Sequence, residues 1–457
     1  MTTLNVLLVT YSFPPAGGVG VLRAASLARY LPSEGIRLDV LTTCNASAVG
    51  TDSTLLKEIP EEVRVHRTFT LDLPFGIKKG IKKLILRAQL RGGPAAAAAG
   101  PGKPNLLKRV LQDVLLPDPQ VTWLPVLSRA ARRIVKERKI DVVLITVPPF
   151  SSLLLVAKLR KEFPGLSIAV DFRDEWLSTT IDLVSFSRSK RALRLASAAE
   201  ADAVSNATAV VAVTEAARRE IGSRYPHEPD GKFQLIPNGF DATRLRRSFS
   251  AACVRPKEKI VATYIGSIYG STEPTTLVQA VKSLPLEVKS RFKLRFIGHI
   301  EEPRFREALL ELGDMVELTG FLPQDEALAA INESDYALLI SHDSLNVSAK
   351  FYDYIGAGKP ILALVHPGGE VRRLLEELRA GWWVGSRDVE DIRRLFVDAA
   401  ARGNSLGSEF QPDLGKIAMY ERKVLAQRYA VLLHSIACRQ REVDSQAAAA
   451  PYAGSGE

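Results

Sequence analysis

Cysteine is scarce in this chain: Cys44, Cys253 and Cys438 are the three among 457 residues. An odd number at wide separation excludes a disulfide framework and any cysteine-based metal spacing, and it suits a reducing compartment. Long apolar runs are missing as well. The most apolar later stretch, Val142 to Leu159, is interrupted by Pro148-Pro149 and ends in charge, which makes it a poor membrane span. The first residues, MTTLNVLLVTYSFPP, have no basic leader and too short an apolar run for a secretory signal, so they read as the first strand of a cytoplasmic protein. With 46% hydrophobic and 25% charged residues, neither disorder nor a membrane bundle is indicated, and the length predicts two large domains or three smaller ones. A net charge of +10 points to acidic partners: nucleotide phosphates, an anionic membrane face or nucleic acid.

What the chain does have is strand-length apolar runs alternating with helical patterns. Asn5 to Thr10, Arg37 to Thr42, Asp141 to Thr146, Ser167 to Phe172, Ala209 to Val213 and Phe233 to Ile236 read as strands of a first series. Ile260 to Ile265, Leu294 to Ile297, Val316 to Leu318, Tyr336 to Ile340 and Pro360 to Val365 make a second. Two such series predict an α/β protein of two doubly wound domains facing each other across a cleft, 1–240 and 241–415. A helix at 416–437 is placed to pack back across the join, and 438–457 is expected to be a disordered tail.

Chemistry concentrates where strands end. Tyr11 to Gly20 (YSFPPAGGVG) puts Gly17, Gly18 and Gly20 after the first strand, where backbone can approach a ligand; a plain tight turn explains them equally well. Asp171, Arg173, Asp174 and Glu175 follow another strand, either lining the cleft or forming an internal salt-bridge cluster. The stretch from Ser341 to Gly369 sets a polar loop, a short helix and a buried strand in succession, with Ser348 as the expected helix cap. Lys350, Asp353 and Tyr354 fall at i, i+3 and i+4, so one helix face offers a cation and a carboxylate beside a positive helix N-terminus. That pairing suits a diphosphate with a neighbouring diol, and the competing reading is a solvated surface ion pair.

Gly76 to Arg91 (GIKKGIKKLILRAQLR) carries an apolar stripe, with Lys78, Lys79, Lys82, Lys83, Arg87 and Arg91 on the remainder and no acid. An interfacial helix on an anionic membrane is one reading, an ordinary surface helix a second and a nucleic-acid patch a third. The basic insertion as a whole, 76–104, ends in a low-complexity GGPAAAAAGPGKP tether.

Taken together, YSFPPAGGVGVLRAASLARYL, DFRDEW, VVAVTEAARREI with IPNGFD, YIGS, FIGH, VELTGFLPQDEALAAINESDYALLI and KFYDYIGAGKPILA resemble, in order and spacing, the GT-B nucleotide-sugar glycosyltransferases, in particular the retaining family four. The resemblance covers nearly the whole chain and implies two Rossmann-like domains. It further implies donor contacts from Gly18, Gly266, Ser267, Gly298 and His299, diphosphate binding by Lys350, and a hold on the donor ribose by Asp353. Asp171, Arg173 and Asp174 would orient acceptor or sugar hydroxyls.

The chain departs from the family in two places. Leu345 stands where the first Glu of Glu-x7-Glu would be, and Gly266 to Glu273 lacks the usual Arg and Lys. The activity so implied is hexosyl or N-acetylhexosaminyl transfer from a nucleoside-diphosphate sugar to a glycan or lipid-linked cell-envelope intermediate. No metal or other cofactor is implied, nor any nucleic-acid partner, and the enzyme would be cytoplasmic and peripheral on the inner face of the plasma membrane. A nucleotide-sugar epimerase and a non-catalytic nucleotide-sugar-binding scaffold are the alternatives.

Overall fold

In a computed structural model, the chain is described over residues 3–46, 51–71, 117–178, 190–249, 259–402 and 409–449. The basic segment, with Lys78, Lys79, Lys82, Lys83 and Arg87, lies outside the described residues.

The strands are β1 (Leu4–Val9), β2 (Ile36–Thr43), β3 (Arg64–Thr68), β4 (Val142–Val147), β5 (Ser167–Phe172), β6 (Ala209–Ala212) and β7 (Phe233–Leu235) in the first domain. The second domain has β8 (Ile260–Ile265), β9 (Phe292–Ile297), β10 (Val316–Gly320), β11 (Tyr336–Ser341), β12 (Ile361–Val365) and β13 (Gly381–Gly385). Among the described residues they form two all-parallel sheets, ordered β3-β2-β1-β4-β5-β6-β7 and β10-β9-β8-β11-β12-β13. Central strands such as VVLITV, YALLIS and ILALV are buried along their whole length, because helices cover both faces and leave no side for polar alternation. The strand order reverses at β1/β4 and again at β8/β11, which opens a crevice at the carboxyl edge of each sheet.

The chain crosses between the domains twice, and the crossings are stitched together. Phe240 N donates to Tyr420 O at 3.1 Å, and Arg422 N donates to Phe240 O at 2.9 Å. Gly239 is required there, since a Cβ on it would fall 2.0 Å from the Tyr420 carbonyl oxygen. The helix Arg422–Ala449 then returns to the first domain, where Leu425, Tyr429, Leu433 and Ile436 pack against Leu4, Val6, Leu8 and Ala169.

Residues from Cys438 onward, expected to be a tail, continue this helix to Ala449. Ile436 and Ala437 anchor the preceding turn in the core, Arg441 pairs with Asp141 at 2.7 Å, and the alanine- and glutamine-rich sequence favours propagation. Strand β3 and the strand GWWVG of β13 were not foreseen: the first is polar, and glycines flank the second.

Candidate active site

Three glycines floor the carboxyl edge of the second domain. Gly266, Gly298 and Gly320 end β8, β9 and β10, and all have positive φ. Gly266 N donates to Ile297 O and Gly298 N to Gly320 O, each at 2.8 Å, so the three chain ends are laced together through the backbone. A Cβ on Gly298 would lie 2.2 Å from the Gly266 carbonyl oxygen, which leaves no room for a side chain. Gly266, Ser267 and His299 are exposed at this edge.

Lys350 reaches over the floor from the helix Ala349–Gly356. Its Nζ sits 3.8 Å from the centre of the Tyr264 ring, hydrogen-bonds the Tyr264 hydroxyl, and would be 3.2 Å from a Cβ on Gly266. Burial pushes its pKa down to about 7, with no carboxylate among the described residues to hold it up. Ser348 precedes this helix, but its side chain makes no capping hydrogen bond.

Asp353, one turn along the same helix, answers to different groups. It is buried, and burial pushes its pKa up to about 6 although Arg422 and Arg244 draw it down; Asp241 raises it further. These partners lie at the crossing between the domains. The solvated Lys350–Asp353 ion pair weighed from spacing is therefore not formed: the acid faces the hinge and the amine faces the glycine floor.

On the first domain, Gly18 caps the helix Val19–Tyr30 with φ 101° and is exposed. Asp171 is fully buried at the end of β5 and takes Arg23 in a fork, Nε to Oδ2 at 3.0 Å and Nη2 to Oδ1 at 2.9 Å, and the Tyr429 hydroxyl at 2.7 Å. Arg23 also donates to the carbonyls of Ile236 and Pro237, at 2.7 Å each, so Asp171 secures the first crossing and the returning helix and does not face the cleft. Arg173 spends its guanidinium on the carbonyls of Gly20, Val147 and Pro148, tying the glycine loop to the end of β4. Asp174 is half-buried and close enough to Asp343 of the second domain to feel its charge. Burial pushes its pKa up to about 6; Arg173 opposes that shift, and Asp343 of the second domain and Asp171 add to it.

Several residues that pattern reading passed over complete the site. Asp343 Oδ1 accepts from Leu345 N at 2.7 Å and Asn346 N at 3.0 Å, and so shapes the loop after β11. Asn346 Oδ1 accepts from Glu175 N at 3.3 Å, and the Thr214 hydroxyl donates to Leu345 O at 2.7 Å, both across the cleft. Leu345 thus bridges the domains through its backbone. Glu175 itself is fully buried, bonded to Arg224 at 2.9 Å, and caps Leu177 and Ser178. His342 is held between Ser386 at 2.8 Å and the Glu273 carbonyl at 3.2 Å. An asparagine or aspartate in a strand-to-helix loop is the only signal that would have found this set.

Two parallel α/β domains meeting at their carboxyl edges form the GT-B architecture. The comparisons agree. Residues 17–239 match the glycosyl transferase 4-like domain and residues 246–402 match glycosyl transferases group 1, and the chain belongs to this GT-B glycosyltransferase family. A Salmonella typhimurium protein named for colanic acid biosynthesis, glycosyltransferase WcaL, is 26% identical over 221 residues, 46% of this chain and 52% of its own length. Pseudomonas aeruginosa glycosyltransferase WbjE is 25% identical over 169 residues, 36% of this chain and 39% of its own. The chain therefore matches about half or less of each of these relatives.

Among solved structures, Anabaena HepE in complex with UDP and glucose superposes with a TM-score of 0.62 at 15% identity, covering 94% of this chain and 99% of that one. WaaG, a glycosyltransferase of lipopolysaccharide biosynthesis, gives 0.59 at 13% identity, covering 94% and 99%. At such identities the likeness is one of fold. Among the described residues no helix is long and apolar enough to cross a membrane.

Proposed function

We propose that the chain transfers a hexosyl or N-acetylhexosaminyl group, with retention at the anomeric carbon, from a nucleoside-diphosphate sugar to a glycan or lipid-linked intermediate of a cell-envelope polysaccharide. The observation that carries this reading is Lys350: a desolvated amine without an acid partner among the described residues, set over Gly266 at the β8/β11 reversal. An anion there restores the ammonium's lost solvation, and the flanking glycines allow a diphosphate to approach backbone. UDP in the Anabaena protein of the same fold is consistent with such a ligand.

In the reaction the bond from the anomeric carbon to the distal phosphate oxygen breaks, and the electron pair goes to that oxygen. Lys350 stabilises the charge as it develops. The acceptor oxygen bonds to the anomeric carbon on the same face, and its proton passes to the departing phosphate. No metal ion or other cofactor takes part in this scheme, so activity should persist in chelator. Asp174 would orient sugar or acceptor hydroxyls.

A membrane-presented acceptor has two supports. One is the acid-free basic sequence 76–91. The other is the exposure of Val19, the first residue of the helix after β1, and of Phe69 and Leu71, which follow β3; each is more than half exposed. The enzyme would then work peripherally on the cytoplasmic face of the membrane.

A thermal-shift panel of nucleoside diphosphates and their sugars tests the donor class: selective stabilisation by one nucleotide series supports the reading, and none overturns it. Conversion of the donor sugar to its epimer with no acceptor present would replace it with an epimerase.

A further inference from the structure

The helix Arg422–Ala449 is basic along the part of its length that packs on the first domain. From Arg422 to Arg441 it carries Arg422, Lys423, Arg428, Arg439 and Arg441 and no acid. Arg422 is spent on the Gly239 carbonyl at 3.0 Å, and Arg441 on Asp141 at 2.7 Å. Arg428 and Arg439 have no acid partner among the described residues, and both line a groove of about 420 Å³ between this helix and β7. Burial pushes the pKa of Arg428 down and Arg23 adds to that, with no carboxylate opposing them.

The groove is apolar between its two cations. Leu432 and Ile436 from the helix and Leu235 and Ile236 at the strand line it, together with Val431, which is 71% exposed, and no acid is among its lining residues. Arg428 donates to the Leu235 carbonyl at 2.6 Å, which fixes its guanidinium beside the strand. Arg428 and Arg439 are eleven residues apart on one helix face, three turns, so their Cα atoms are separated by about 16 Å. Two cations at that spacing, with apolar surface between them, call for an elongated ligand that is acidic at both ends and apolar in the middle. A phospholipid or fatty acid has one anionic end and leaves one arginine unanswered. A second copy of this chain would bring the same acid-free face to a two-fold contact and set cation against cation. An acidic segment of another protein meets each of these demands. Strand β7 is the sheet edge opposite β3, so such a partner leaves the β3 side free.

We propose that the groove between β7 and the helix Arg422–Ala449 docks an extended acidic segment of a partner protein, with carboxylates on Arg428 and Arg439 and apolar side chains over Leu432 and Ile436. The contact stands apart from the cleft between the domains and does not depend on which donor is bound there. A guanidinium takes a carboxylate through two parallel hydrogen bonds, and a partly desolvated one such as Arg428 gains most from it. Val431 adds apolar contact area that is already exposed.

The test follows the fluorescence anisotropy of labelled synthetic peptides titrated with the full chain. One peptide has a glutamate pair at each end and alternating apolar and polar residues between them, enough to span the two arginines at about 3.3 Å per residue. Two others carry glutamine or lysine pairs in place of glutamate. The glutamate-ended peptide should bind about tenfold or more tightly than the glutamine-ended one, and the lysine-ended peptide more weakly still. Arg439→Glu and Val431→Asp, both at exposed positions, should keep the melting temperature of the parent and weaken binding of the glutamate-ended peptide by about fivefold or more. Equal affinity for glutamate and glutamine ends, no binding of any peptide, or variants that bind as the parent does overturn the proposal. Sedimentation with vesicles of anionic phospholipid and analytical ultracentrifugation of the chain alone distinguish the other occupants. Vesicle binding lost in both variants while peptide binding is kept assigns the groove to a membrane, and self-association abolished by Val431→Asp assigns it to a second copy; either overturns the peptide dock.

Discussion

Lys350 Nζ lies 3.8 Å from the centre of the Tyr264 ring, and its neighbours there are the ring, the phenol oxygen and Gly266. A lysine held in this way has lost water without gaining an acid, and its pKa of about 7 follows from that loss. The amine carries its proton below about pH 7 and sheds it above, so affinity for a nucleoside diphosphate should decline as pH rises through that value. Lys350→Ala should flatten the profile and lower kcat/KM by about 10²- to 10³-fold. Calorimetric titrations from pH 6 to pH 9 with both proteins check this; parallel profiles would contradict it.

Gly298 is the stiffest demand of the floor. Its φ is 141°, and a methyl group would meet the Gly266 carbonyl at 2.2 Å. Gly298→Ala should destabilise the chain by about 2–3 kcal/mol and weaken nucleotide binding together. Gly358→Ala is the control: φ is 65° with open space around it, and the expected loss is about 1 kcal/mol with binding unchanged. Denaturant melts and nucleotide titrations of the two variants separate the effects.

Asp353 gives a counterintuitive expectation. Its folded-state pKa of about 6 lies above its ordinary value of 3.8 because burial outweighs the pull of Arg422 and Arg244. The folded chain therefore binds this proton more tightly than the unfolded chain. That contribution to stability is complete below about pH 4 and is lost as pH rises through about 6. Asp353→Asn should be more stable than the parent at pH 7.5, by up to about 3 kcal/mol, with the gap closing near pH 4. Equal or lower stability at pH 7.5 would mean that Asp353 is effectively ion-paired.

The buried knot of Arg23, Asp171 and Tyr429 joins the first helix, the end of β5, the domain crossing and the last helix. Arg23→Met strands a fully buried carboxylate and should cost about 3–5 kcal/mol. Tyr429→Phe removes one hydroxyl from a knot that keeps its charge pair and should cost about 1–2 kcal/mol. Equilibrium unfolding in urea measures both.

The central strands were legible because a parallel sheet covered on both faces demands unbroken apolar runs: Ser167–Phe172 and Ile260–Ile265 are read from sequence with the bounds they have in the fold. The polar edge strand Arg64–Thr68 was not, since among the described residues only one of its sides is paired. In the site, Lys350 and the glycines could be placed by their position at strand ends. The roles of Asp171 and Arg173 could not, because a D-x-R-D string has the same letters whether its charges face a cleft or a hinge. Arg23 and Tyr429, 406 residues apart in sequence, decide that question here, and no local pattern reveals them.

The most direct test of the account is a structure of the chain with the nucleoside diphosphate it binds most tightly. The account predicts a phosphate oxygen within about 3.5 Å of Lys350 Nζ, above Gly266 and between the two domains. A diphosphate seated elsewhere, with Lys350 still resting on Tyr264 and touching no phosphate, would contradict it.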